Sequence, residues 1–177
     1  MNKRLIQGLA AAGLLAASLS AQALTFDFDL GAQGWTSSNG GDQVWLASGG
    51  NGGGFLQVTD SSSDDFLLVA PAAALGNWSA YLGGQIYFDA RNLNSDTPDW
   101  APFGEVTLSG PGGTVVLDIA SANEPLADGQ WHRYSATLSS TQWGPGLAAV
   151  LAQVDSFTLK GEFHAGVTEI VGIDNIS

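Results

Sequence analysis

Glu105-Val106-Thr107-Leu108-Ser109-Gly110-Pro111-Gly112-Gly113-Thr114-Val115-Val116-Leu117-Asp118-Ile119 decides the fold class. Val106 and Leu108 alternate with polar neighbours. So do Val115, Leu117 and Ile119, with Val116 as one extra apolar residue. Alternation at period two puts one face of a strand in a core and the other in water. Gly110–Gly113 between them has turn composition.

The same pattern spreads outward from this pair. Gln85–Asp89 places Ile86 and Phe88 on one face, and Phe55–Thr59, His132–Leu138, Ser156–Lys160 and Val171–Ile176 are further short β-rich runs. Phe26 and Phe28 alternate with Asp27 and Asp29, which predicts a first strand. Glycine- and aspartate-rich stretches separate them, at Gly49–Gly54, Asp60–Asp65, Asn94–Pro102 and Ala127–Gly129. Eight to ten short strands of this kind predict an all-β, two-sheet antiparallel β-sandwich of jelly-roll type. Leu147, Val150 and Leu151 instead recur at helical spacing, predicting one short helix over Leu147–Gln153.

Composition narrows the function. The 177 residues carry 5 Lys and Arg against 17 Asp and Glu, a formal net charge of −12, which argues against nucleic acid and anionic membrane surfaces as partners. With no cysteine, zinc ribbons, iron–sulfur sites and thiol catalysis are excluded. Met1-Asn2-Lys3-Arg4 is a basic head, Leu5–Leu19 is mostly apolar, and Ala21-Gln22-Ala23 has the small-x-small pattern of a signal-peptidase site. Residues 1–23 are therefore expected to be a cleaved signal peptide and 24–177 the mature domain, delivered to a bacterial periplasm or the cell exterior. No other apolar run has spanning length.

A larger set of residues resembles the laminin B (laminin IV type A) domain. It comprises Phe66-Leu67-Leu68-Val69-Ala70-Pro71, Leu75–Asp89, Val106–Gly110, Trp131, Trp143-Gly144, Ala149–Ala152, Leu159-Lys160-Gly161-Glu162-Phe163 and Gly172-Ile173-Asp174-Asn175-Ile176, in that order across the mature chain. The resemblance implies a jelly roll akin to carbohydrate-binding modules, outside the cell, with a non-catalytic adhesion or matrix role. Bacterial members often end in a hydrophobic sorting tail. This sequence stops at Ser177 after its last strand, so surface anchoring is not expected from it.

Catalytic patterns are sparse. His132 and His164 lie apart, and neither an H-E-x-x-H run nor a G-x-S-x-G elbow occurs. The four glutamates are Glu105, Glu124, Glu162 and Glu169. Glu162 is read as part of a salt bridge or hydrogen-bonded turn, since a general acid would need a burial-raised pKa. The glycine loop Gly49–Gly54 precedes a strand rather than a helix and is read as a hairpin loop, not a phosphate cradle. Asp60-Ser61-Ser62-Ser63-Asp64-Asp65 lacks EF-hand spacing.

The expected function is therefore a secreted module that binds extracellular polysaccharide or matrix glycan. The alternatives are a structural cell-surface or biofilm protein working through protein–protein contacts, and a divergent glycan hydrolase. Sugars stack their C–H faces on flat rings, and desolvated Trp gives the largest contact area. Of six Trp residues, Trp35, Trp45, Trp131 and Trp143 are expected to pack, whereas Trp78 and Trp100 lie in polar connecting segments and are the candidate sugar-binding rings. Phe28-Asp29 ahead of Gly34-Trp35 resembles the opening of calcium-binding jelly rolls. That resemblance implies one structural calcium held by Asp29 and Asp174, with Asp27 beside them and glycine-loop carbonyls completing the oxygen set.

Overall fold

In the computed structural model, residues 23–100 and 102–177 are described; the expected leader, residues 1–22 above all, lies outside them. Ten strands form: β1 Thr36–Ser38, β2 Gly41–Leu46, β3 Phe55–Asp60, β4 Leu67–Val69, β5 Gln85–Asn92, β6 Glu105–Gly110, β7 Gly113–Asp118, β8 His132–Thr137, β9 Ser156–Lys160 and β10 Ile170–Asp174. Two short helices, α1 Ser140–Trp143 and α2 Leu147–Leu151, lie between β8 and β9. Two five-stranded sheets result, ordered β1-β4-β9-β6-β7 and β2-β3-β10-β5-β8, every pair antiparallel. This is the two-sheet jelly-roll sandwich that the alternation predicts.

Parity along each strand decides which side chains enter the core. Leu56 and Val58 of β3, Phe88 of β5, Leu108 of β6, Leu159 of β9 and Ile173 of β10 point between the sheets and are fully buried. Around them aromatic rings meet edge-on, as Trp35 does on Phe157 at 5.2 Å. The expected helix forms as α2, burying Leu147, Val150 and Leu151 against β6 and β7. Gly112 in the β6–β7 turn permits this approach, since a Cβ there would collide with the Ala149 carbonyl.

The predicted first strand shrinks to one bridge. Phe26 and Ile176 exchange two backbone hydrogen bonds, of 2.8 and 3.0 Å. Phe28 then turns into the left-handed region (φ 52°), ending any ladder while sinking its ring into the core.

Candidate functional site

Two loops at one end of the sandwich carry the half-exposed ring of Trp100. The β5–β6 connection is pinned to the β9–β10 connection by the backbone N–H groups of Asp99 and Trp100, both donating to the Phe163 carbonyl at 3.0 and 3.1 Å. The Asp99 carboxylate accepts the Ala165 N–H, and the Asn94 side chain donates to the Thr168 carbonyl. The indole N–H of Trp100 donates to Asp65 at 2.9 Å, and the other Asp65 oxygen takes the Lys160 ammonium at 2.6 Å. The indole, 45% exposed, is thus oriented by a charge-assisted relay rather than left to rotate. Trp100, Ser63, Asp65, Glu162 and the Ala165–Val167 segment line a pocket of about 240 Å³. Beside it runs the outer face of the β1-β4-β9-β6-β7 sheet. There Thr36, Val69, Thr158, Thr107 and Val116 share one register row across all five strands.

Behind this pocket lies a group of buried acids. Asp60 ends β3 on its inward parity, Glu162 follows β9 by two residues, and Glu169 immediately precedes β10. All three are buried, and carboxylate oxygens from each lie within 4.8 Å of one another. Asp60 Oδ1 accepts the Ser62 N–H, and Glu162 Oε2 accepts the Phe66 N–H at a long 3.4 Å. Asp60 Oδ2 and both Glu169 oxygens have no donor. Burial first, then the neighbouring Glu169, pushes the Glu162 carboxyl up to about 8. Of the two expectations for Glu162, a salt bridge or a hydrogen-bonded turn, the salt bridge is corrected, because the Lys160 ammonium turns to Asp65 and Glu105 on the outer face; the hydrogen bond that Glu162 does accept comes from distant Phe66 rather than from a local turn. From the sequence Asp60 reads only as the start of the acidic loop Asp60–Asp65, and Glu169 only as one of four glutamates. The one available signal is that Asp60 continues the inward series Leu56, Val58.

The opposite end of β3 and β10 holds the acids expected to bind calcium. The Gly49–Gly54 loop folds onto Asp174, whose oxygens accept the N–H groups of Asn51 and Asn175, each at 2.7 Å. A Cβ on Gly53 would collide with Asp29, and one on Gly50 with both the Gly54 carbonyl and Asp174. Asp29 and Asp174 therefore flank one glycine loop whose carbonyls are close by. Asp27 does not join them: it is exposed and accepts the Gln33 side chain at 2.9 Å. Burial, opposed by those backbone donors and assisted by Asp89 and Asp29, raises Asp174 to about 6. Asp89, unforeseen from sequence, lies fully buried beside this loop under Arg133, Asn51 and Asn175.

The structure corrects the reading of Trp78. It is only 7% exposed, its indole N–H donates to the Ala74 carbonyl, and its ring packs edge-on against Phe157 and Tyr81. Its edge lines an apolar cavity of about 320 Å³ shared with Phe26, Ile86, Leu138 and Phe157, so it offers no stacking face on the surface. Trp35 and Trp143 are core residues, as expected. Trp131 braces the outer face of the second sheet, edge-on to Phe55 and close over Gly172, and Trp45 is one-third exposed with its N–H on the Phe28 carbonyl. His132 pairs with Asp128 at 2.9 Å and His164 Nδ1 lies 2.9 Å from Asp99, far from any common site.

No model of a known protein family and no curated protein sequence matches the chain. Solved structures do share its fold. The L4b domain of human laminin α2 superposes with TM-score 0.52 at 11% identity, covering 68% of this chain and 79% of that one. An exo-β-agarase gives TM-score 0.54 at 18% identity, covering 85% of this chain and 24% of that one, so the likeness takes in about a quarter of the agarase. A family 11 carbohydrate-binding module from Clostridium thermocellum, in complex with a β-1,3-1,4-mixed-linked tetrasaccharide, gives TM-score 0.50 at 19% identity, covering 86% and 92%. The chain thus has a laminin-like, carbohydrate-binding-module-like fold. Among the described residues no helix is long and apolar enough to cross a membrane.

Proposed function

We propose that this chain is a non-catalytic binding module for extracellular polysaccharide that stacks a sugar ring on Trp100. The observation carrying this reading is the half-exposed indole, oriented by Asp65 at the mouth of a pocket that sets Ser63, Asp65 and Glu162 among apolar walls. An anchored aromatic plane with carboxylate and hydroxyl groups around it is what recognition of a pyranose requires, the ring giving contact area and the polar groups giving orientation. The likeness to a family 11 module that holds a tetrasaccharide supports the ligand class. Turnover is disfavoured because one of the three clustered acids, Glu162, lines the pocket, whereas Asp60 and Glu169 are buried behind it, so a pair of carboxylates flanking a bound glycosidic bond is lacking among the described pocket residues. Export by the N-terminal leader and a laminin-B-like adhesive role complete the reading.

A structural calcium between Asp29 and Asp174 belongs to the same proposal. Two carboxylates flanking a carbonyl-rich glycine loop are suitable hard ligands, and the ion would tie the N-terminal segment to β10. The deciding experiment is affinity electrophoresis of the protein in a panel of soluble β-glucans, xylans, agars and glycosaminoglycans. Retardation by at least one polymer that is lost in Trp100→Ala, with unchanged thermal stability, supports the reading. Absence of retardation across the panel rejects it in favour of a structural protein that works through protein contacts.

A further inference from the structure

We infer that Asp60, Glu162 and Glu169 form a binding site for one hard divalent cation, calcium by preference, at the end of the sandwich opposite Asp29 and Asp174. The inference stands apart from glycan binding.

Three separate segments deliver these carboxylates to one point: the end of β3, the exit from β9 and the entry to β10. Each is excluded from water, Glu169 completely. A buried carboxylate without a donor costs several kcal/mol, so native folds pair it, protonate it or give it a metal. Pairing with a protein cation is closed. The Lys and Arg residues in the described chain are Arg91, Arg133 and Lys160, and the two histidines are taken by Asp128 and Asp99. Lys160 is engaged by Asp65 and Arg133 by Asp89, while Arg91 shares a register row with Gly172 and Gln57 on the outer face, away from the inward Asp60. Backbone donors reach one oxygen of Asp60 and one of Glu162, and none reaches Glu169.

A proton shared between Glu162 and Glu169 would neutralise one of three charges and leave the Asp60 and remaining glutamate oxygens bare. A divalent ion serves all three at once. The donor set is oxygen only, which selects hard ions over zinc or copper. Oxygens on opposite sides of a calcium, at 2.3–2.6 Å each, stand up to about 5 Å apart, and the observed spread within 4.8 Å fits that span. Three carboxylates can supply up to six oxygens, calcium's usual minimum. Glu162 also lines the Trp100 pocket, which gives the ion a route in from solvent.

The test uses the whole protein, stripped with chelator at pH 8, and terbium as luminescent probe with calcium and magnesium as competitors. Asp29→Asn, an exposed change, disables the other candidate calcium site, so that the buried acids are read alone. The expected result is that Asp29→Asn still binds terbium with tryptophan-sensitised emission, that calcium displaces it better than magnesium, and that adding Glu169→Gln weakens uptake at least 100-fold. In chelator, Glu169→Gln melts at or above the parent temperature, because repulsion is relieved, which shows that lost binding is not lost folding. Terbium binding by Asp29→Asn that survives Glu169→Gln and Asp60→Asn, or no binding by Asp29→Asn at all, overturns the assignment and leaves the shared proton as the remaining account.

Discussion

Arg133 grips the fully buried Asp89 with two N–H···O bonds, Nε to Oδ1 at 2.7 Å and Nη2 to Oδ2 at 3.0 Å, while the Arg133 side chain itself stays half exposed. The two residues sit opposite each other on β8 and β5, and the guanidinium also lies 4.3 Å above the Tyr87 ring. Burial alone would raise the Asp89 carboxyl; hydrogen bonds from Arg133, Asn51 and Asn175 outweigh it and hold it below the usual range. Asp89 is thus the charged hub that fastens the glycine loop to the sheet. Arg133→Ala leaves that buried charge with only the Asn51 and Asn175 amides and should cost about 3 kcal/mol in urea unfolding. Asp89→Asn should cost less, because its amide keeps shape and an acceptor. Equal, small effects of the two changes would show that the hub is not structural.

Trp100 and Trp78 should behave oppositely. Trp100→Ala should weaken polysaccharide binding by about 1–2 kcal/mol or more and leave the unfolding midpoint nearly unchanged, because the ring is half in solvent. Trp78→Ala opens the apolar cavity further and should cost about 3–5 kcal/mol of stability. Paired unfolding curves and affinity electrophoresis check both. A Trp100→Ala protein that loses stability like Trp78→Ala would return that ring to the core.

The contrast between those two rings marks what the sequence could carry. Trp78 lies between Asn77 and Ser79, and Trp100 follows the polar run Asn94–Asp99, but neighbouring polarity does not say where a ring points; Trp78 is buried, with its indole N–H on the Ala74 carbonyl. Strands with strict alternation, β6 and β9, and β7 with its one extra Val116, were legible because their pattern encodes burial directly. β1 and β4, three residues each, were not, since so short a strand exists only by virtue of its partner. The Phe26–Asp29 alternation promised a strand, but Phe28 breaks it by turning left-handed, a choice made by core packing. Asp29 and Asp174 were singled out by resemblance alone. Asp60 reads as the start of a solvated acidic loop, and Glu169 and Asp89 were not singled out, because a buried acid looks the same in sequence as one facing water.

Asp29 and Asp174 make a separate prediction about calcium. If they hold an ion across the Gly49–Gly54 loop, calcium should raise the melting temperature, and Asp174→Ala should remove the part of that rise that Glu169→Gln leaves behind. Scanning calorimetry in chelator and in millimolar calcium separates the two contributions. A rise that is identical with and without Asp174 would exclude that residue as a ligand.

The buried Glu162 dictates how the metal-free protein responds to pH. Its carboxyl is raised from 4.5 to about 8 by burial and by Glu169, so between those values the folded state binds a proton that the unfolded chain has released. Stability must then fall as pH rises through this window, by up to about 1.4 kcal/mol per pH unit for one proton, and level off above 8. Asp174, raised from 3.8 to about 6, adds a fall of the same sign over its own lower range. Asp89, lowered, acts the other way and only in acid, where its ionised form is lost. Chelated protein should therefore melt at a higher temperature at pH 5 than at pH 8, the reverse of a protein governed by salt-bridged carboxylates. Glu169→Gln removes the neighbouring charge, so it should flatten the curve between pH 6 and 8 while leaving the Asp174 portion intact. A melting temperature that climbs from pH 5 to 8 in chelator would mean that Glu162 is ionised throughout and has a compensating partner.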